Sequence, residues 1–202
     1  MATTSQPPPN RDVRPLHTEI PQNTIINRIY DPDSYGATAT GFRGSGPFAR
    51  FDHHAVGASE RGILYASFDF KGCLAEIYGD IGYGTARRRR HCGIRLSRTL
   101  RLLDLRGDGA LRAGTIAQVT CCPHALAQSW SRYFYENPAI YGAVDGIAYS
   151  NAHNEGTAFA LYERAADALV STVWDNRLDD SNRRAEYEGA AREANLIVAF
   201  YM

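Results

Sequence analysis

Lysine is nearly missing from this sequence: Lys71 is the only one in 202 residues, and arginine carries almost all the positive charge. Excess charge of either sign is missing too, with 22 basic against 22 acidic residues. A general nucleic-acid binder draws most of its affinity from phosphate neutralisation by an excess of Lys and Arg, so direct nucleic-acid binding is not expected. Cysteine is sparse. Cys73, Cys92, Cys121 and Cys122 show no secreted-type framework, and a reduced, cytoplasmic setting is expected. No run approaches the roughly 20 apolar residues that cross a bilayer, and MATTSQPPPNRDVRP has no apolar core of the signal-peptide kind. A soluble protein with no membrane partner is therefore expected. Walker A, G-x-S-x-G and a G-x-G-x-x-G following a strand are all absent.

What remains is an ordinary globular composition, 44% hydrophobic and 11% aromatic, at a length that suits one domain. Residues 1–22, rich in Pro, Thr and Asn, read as a disordered or extended arm ahead of a single domain over 23–202. TIINRIY opens the domain as a short strand. Residues 31–62 then hold six glycines and two prolines, an unusually long loop unless it serves a site. ILYAS predicts a strand, and the spacing of Leu74, Ile77, Tyr78 and Ile81 predicts a helix over about 70–82 capped by Asp69. GTARRRRHCGI leads into the strand-like IRLSRTLRLLDL. Residues 115–119 open a strand or a helix. HALAQSWSRYFYEN (124–137) predicts an amphipathic helix ended by Asn137-Pro138. VDGIAYSN, FALYER and ALVSTVWDNRL read as strands, DDSNRRAEYEGAAREAN as a helix capped by Asp180 or Ser181, and LIVAFYM as a closing strand. Without a βαβ period or a repeat, the expected fold class is α+β: a compact mixed sheet with flanking helices.

Most candidate polar residues have plain explanations. Arg87–Arg90 reads as a solvated run. The pairs His91-Cys92 and Cys121-Cys122 lack the C-x₂-C spacing by which two thiolates converge on zinc, so no metal site is expected. His53 and His54 sit in the Gly-rich loop. Glu76 falls opposite the apolar stripe of its helix, where a solvated carboxylate costs nothing. A second set is more suggestive because it lies along strands: Arg28 and Tyr30 in INRIY, Arg50 in FARFD, Tyr65 in ILYAS and Ser150 in AYSN.

In order and spacing, INRIY, GPFARFD, ILYAS, CLAE and VDGIAYSNA followed by FALYE resemble the RES domain, named for its arginine, glutamate and serine. The resemblance spans residues 24–164, about 70% of the chain. Phe51-Asp52 stands where many relatives have Trp-Asn, Ser150 directly follows Tyr149, the loop is long, and the arginine run lies outside the pattern. The resemblance implies an ADP-ribosyltransferase-like fold and a toxin-type enzyme acting on NAD, partnered by an antitoxin with an Xre-like helix-turn-helix. It places the catalytic arginine, glutamate and serine on Arg28, Glu76 and Ser150, and the NAD-binding accessory positions on Tyr30, Arg50 and Tyr65. Cleaving the nicotinamide–ribose bond builds positive charge on the ribose, which a carboxylate can stabilise. Arg28 and Arg50 would then hold the diphosphate, and Tyr65 or Tyr30 would stack on nicotinamide. NAD is a substrate here, and the reading needs no metal. Hydrolysis, phosphorolysis and ADP-ribosyl transfer to a protein stay open. So do a non-catalytic binding module on the same fold, and a homodimer.

Overall fold

The computed structural model describes residues 4–34, 36–57 and 60–200. In chain order these form β1 (His17–Ile20), β2 (Ile25–Tyr30), β3 (Ile63–Ser67), α1 (Phe70–Tyr78), β4 (Tyr83–Thr85), β5 (Arg90–Arg95) and β6 (Leu100–Asp104). There follow α2 (Gly109–Arg112), α3 (His124–Glu136), α4 (Pro138–Tyr141), β7 (Gly146–Ser150), β8 (Thr157–Tyr162), β9 (Thr172–Arg177), α5 (Arg184–Glu193) and β10 (Ile197–Ala199). Eight strands make one sheet in the order β1-β6-β7-β8-β3-β2-β5-β9, while β10 pairs with β4 apart from it. The fold is mixed α+β, as the irregular alternation of strands and helices implied.

Every pair in the large sheet is antiparallel except β6 with β7. A parallel pair needs a long crossover, and α2, α3 and α4 supply it. That crossover brings Ala127, Trp130 and Phe134 of α3 onto one face of the sheet, against Ile147, Tyr149 and Tyr162. The face read from HALAQSWSRYFYEN is Leu126, Trp130, Tyr133 and Phe134; Trp130 and Phe134 are fully buried, while Leu126 and Tyr133 are only partly covered and Ala127 joins the core. Each such large side chain, fully buried, contributes about 1.5–3 kcal/mol. The opposite face packs Ile26, Leu64, Phe159 and Leu161. A third cluster joins Leu74 and Tyr78 of α1 to Tyr187 and Ala191 of α5.

The N-terminal segment is laid along the domain. Trp130 Nε1 donates to the Ser5 carbonyl at 2.7 Å, and β1 pairs with β6 at the sheet edge. The expected strand–helix pair at 63–82 forms, with the Asp69 side chain accepting from the Gly72 amide at 2.7 Å. Its helix is shorter than its spacing suggested. It ends at Tyr78, where Gly79 donates to the Ala75 carbonyl, and Ile81 lies beyond it, 67% exposed. LIVAFYM contributes only the short β10, and TIAQV meets a 3₁₀ turn at Ala117–Thr120.

One feature of the sheet places the site. The β2–β3 ladder consists of a single pair, Asn27 opposite Ser67. Asn27 is pinned there: its side chain reaches the Phe68 carbonyl at 2.8 Å and His91 Nε2 at 2.8 Å. Beyond that pair the strands separate. On the β3 side, Arg43 of the Gly-rich loop takes the vacant edge, exchanging both backbone hydrogen bonds with Ile63 at 2.9 and 3.1 Å. The gap between β2 and β3 is a cleft.

Candidate active site

The cleft has a volume of about 490 Å³ and is lined by Arg28, Ile29 and Tyr30 of β2, by Ile63 and Tyr65 of β3, by the Gly-rich loop and by Arg89. A second, narrower recess shares Tyr65 and Ile29 with it and also borders Cys73, Glu76 and Ile77 of α1. Tyr65 thus lines both the cavity that holds Arg28 and the recess that holds Glu76.

Arg28 is only 7% exposed, and its Nη1 donates to the Ala39 and Gly41 carbonyls at 3.1 and 2.8 Å. Its guanidinium lies 5.6 Å from the centre of the Tyr30 ring. Among the described residues no carboxylate pairs with it. Desolvation brings its pKa down to about 10, against the pull of Cys92 and Tyr30, and Arg43 adds to the lowering. A buried cation without a counter-ion is expensive unless an anion joins it.

The loop is held around Asp52, which is fully buried. Its carboxylate accepts both of its oxygens' bonds from Arg43 Nη2 at 2.8 Å, and further bonds from the Phe48 and Ala49 amides and the Tyr65 hydroxyl. The Tyr65 hydroxyl also accepts from the Phe51 amide at 2.9 Å, so the ring is fixed in the cleft wall. Burial, then the Asp52 carboxylate, push the Tyr65 phenol well above its ordinary pKa, and it stays neutral.

Neighbouring His53 anchors the same loop to the end of β8. Its Nε2 lies 3.0 Å from Glu163 Oε2, which also accepts from the Gly62 amide, while Oε1 accepts from Tyr135. Desolvation lowers the His53 pKa, so the ring meets Glu163 as a neutral donor. Burial pulls the Glu163 carboxyl upward, but the bonds from His53, Tyr135 and Gly62 outweigh it and bring the pKa to about 2. The stabilisation from this carboxylate is complete above about pH 5.5 and is lost progressively as pH falls from there through about 2. Glu163→Gln is therefore expected to cost about 1–3 kcal/mol at pH 7, with the difference from wild type narrowing as the pH is lowered. Denaturant unfolding at several pH values checks this; an offset that does not change with pH would mean the charge of Glu163 is not what holds the loop.

In the neighbouring recess, Glu76 is exposed on α1, on the side its helical wheel indicated, yet both its oxygens are engaged. Tyr149 Oη donates to Oε1 at 2.7 Å and Asn151 Nδ2 to Oε2 at 2.8 Å. Asn151 is nearly fully buried, and its amide orientation is set by the His153 amide, which donates to Oδ1 at 2.8 Å. Protein atoms close enough to desolvate the carboxylate raise the Glu76 pKa, opposed by the Tyr149 hydrogen bond and by the charges of His153 and Arg50. The result is an oriented carboxylate with one open side.

The remaining expected residues fall as follows. Arg50 donates to the Cys122 carbonyl, and its charge acts on Glu76 and Tyr149. It does not line the cleft where Arg28 and Arg43 stand. Tyr30 lines the cleft, but its hydroxyl donates to Asp175 at 2.7 Å, and burial with that bond pushes its pKa to about 12. Ser150 ends β7, half-buried, opposite Thr157. Alternation along β7 turns the residue after Tyr149 to the other face, and the residues on either side of Ser150 are the ones that hold Glu76.

Sequence reasoning missed Tyr149, Asn151, Asp52, Arg43 and Arg89. Tyr149 and Asn151 sit inside the very motif, AYSN, that drew attention to Ser150. Of the arginine run, Arg90 pairs with Asp175 at 2.8 Å and Arg88 with Asp33 at 3.7 Å, while Arg89 reaches the cleft. Among the described residues no group of three His, Cys, Asp or Glu could hold a metal ion, and no helix is long and apolar enough to cross a membrane.

Arg28, Arg43 and Arg89 line the gap in the split sheet, and the held carboxylate of Glu76 borders the neighbouring recess. The RES domain family model matches residues 25–181, and the chain belongs to that family. A solved structure similar to it is the M. tuberculosis MbcT–MbcA toxin–antitoxin complex, at 13% identity and a TM-score of 0.47, covering 86% of this chain and 92% of that chain. No curated protein matches the chain.

Proposed function

We propose that this protein is a toxin-type enzyme that cleaves the nicotinamide–ribose bond of NAD in the cleft between β2 and β3. One observation carries the reading: a buried guanidinium with no carboxylate partner among the described residues and a carboxylate held by Tyr149 and Asn151 line two neighbouring cavities that share Ile29 and Tyr65.

In this reading Arg28 takes up a diphosphate oxygen, and the anion relieves the cost of its buried charge. The Tyr65 ring packs on the nicotinamide-ribose half and keeps water from the bond until it breaks. As the C1′–N bond breaks, its electron pair leaves with the nicotinamide nitrogen, which becomes neutral, and positive charge builds on the ribose. Glu76 faces that charge, and its fixed hydrogen bonds mean that little reorganisation is needed at that moment. A water or a phosphate then attacks C1′, and Glu76 orients it and draws its proton if it has one to lose.

Purified protein mixed with NAD is expected to release free nicotinamide. Stimulation by inorganic phosphate, with an ADP-ribose phosphate ester as product, would identify phosphorolysis, and ADP-ribose alone would identify hydrolysis. Incorporation of ADP-ribose into lysate proteins would identify the transferase alternative. If none of these occurs, the chain is a non-catalytic binding module. Expression without a neutralising partner, in our reading an Xre-like antitoxin acting in the cytoplasm, is expected to arrest growth as cellular NAD falls; normal growth at high expression would contradict the toxin reading.

A further inference from the structure

We propose that Arg89 is a diphosphate-binding residue of the cleft, the second cation beside Arg28. The inference rests on the reading of the cleft as an NAD site and changes which residues hold the ligand.

A diphosphate bridge carries two negative charges at neutral pH, so the charges already neutralised within the cleft matter. Arg43 lines it, but Asp52 takes its charge through two 2.8 Å bonds. Arg50, the expected partner of Arg28, is turned to the Cys122 carbonyl and to the Glu76 end. Arg89 also lines the cleft, together with Arg28 and Tyr30. No carboxylate among the described residues pairs with it; its guanidinium lies 5.5 Å from the centre of the Tyr78 ring, a contact that leaves its N–H groups available. Its flanking residue Arg90 is tied to Asp175. The backbone of Arg89 is fixed at the entry to β5, its amide donating to Ala86 at 3.0 Å and its carbonyl accepting from Leu178 at 2.9 Å. Among the described residues lining this end, Arg28 and Arg89 are thus the two cations without a carboxylate partner, matching the charge of a diphosphate, and each carries a planar fork of donors.

The test is calorimetric binding of ADP-ribose, which keeps the diphosphate and lacks the scissile bond. Arg89→Ala is expected to weaken binding about 10- to 100-fold, the loss of one charge-assisted contact. Arg89→Lys should recover part of that, and NAD cleavage by Arg89→Ala should show a raised KM with kcat largely kept. Arg87→Ala, in the same run but exposed and away from the cleft, should bind within twofold of wild type. Binding by Arg89→Ala within twofold of wild type, or an equal loss in Arg87→Ala, would overturn the inference while leaving the NAD reading in place. A folded wild type that binds no ADP-ribose and releases no nicotinamide would overturn the NAD reading and this inference with it.

Discussion

Glu76→Gln is expected to lower nicotinamide release from NAD by about 10²- to 10⁴-fold, with ADP-ribose binding kept within a few-fold. Gln retains the size and an acceptor for the Tyr149 hydroxyl but removes the charge that faces the ribose. The substitution removes a desolvated carboxylate but turns an NH2 toward the Asn151 Nδ2 donor, so the two effects oppose each other and thermal unfolding should change little. In the wild type, cleavage needs Glu76 ionised. Because desolvation raises its pKa, activity should fall on the acid side at a pH above the ordinary glutamate range, and the Gln variant should lack that limb. A Gln variant retaining a tenth or more of the rate would remove Glu76 from the chemistry.

Arg28→Met should have a comparably large effect on function, through binding. Losing the buried guanidinium is expected to raise KM for NAD at least about 10²-fold, the scale of a strong charge-assisted contact. The stability effect is the more telling readout. Keeping Arg28 charged while desolvation holds its pKa near 10 costs roughly 3 kcal/mol in the fold. Its bonds to the Ala39 and Gly41 carbonyls return about 1–3 kcal/mol. Those magnitudes nearly cancel, so chemical denaturation should find Arg28→Met within about 1 kcal/mol of wild type. An arginine kept for structure behaves differently: its bonds outweigh the cost of burying its charge, so its loss destabilises by more than the two carbonyls of Ala39 and Gly41 account for. An Arg28→Met protein destabilised by several kcal/mol would show that the residue is there for the loop and not for a ligand.

The local elements were legible because their causes are local. The Asp69 cap, the α3 stripe ending at Asn137-Pro138 and the apolar strands at 25–30 and 63–67 follow from propensity and period alone. The wheel of α1 also put Glu76 on the outward side. It could not show that Tyr149 and Asn151, more than 70 residues away, reach it there. Nor could it show that β2 and β3 touch at one residue pair and then part, because strand pairing is non-local. Glycine content marked residues 31–62 as a loop serving a site. Its order comes from Asp52, which holds Arg43 and two loop amides, and from His53 bonded to Glu163; Asp52 stood out only as a departure from the family pattern. Arg89 was hidden in a run of four like residues, which differ only in the direction the turn before β5 gives each side chain.

A crystal structure of Glu76→Gln with NAD bound tests the central claim most directly. The expected result is the diphosphate on Arg28 between β2 and β3, with the nicotinamide ribose beside residue 76 and the Tyr65 ring against it. NAD bound anywhere else, or bound in the cleft with its nicotinamide ribose away from residue 76, would contradict the account.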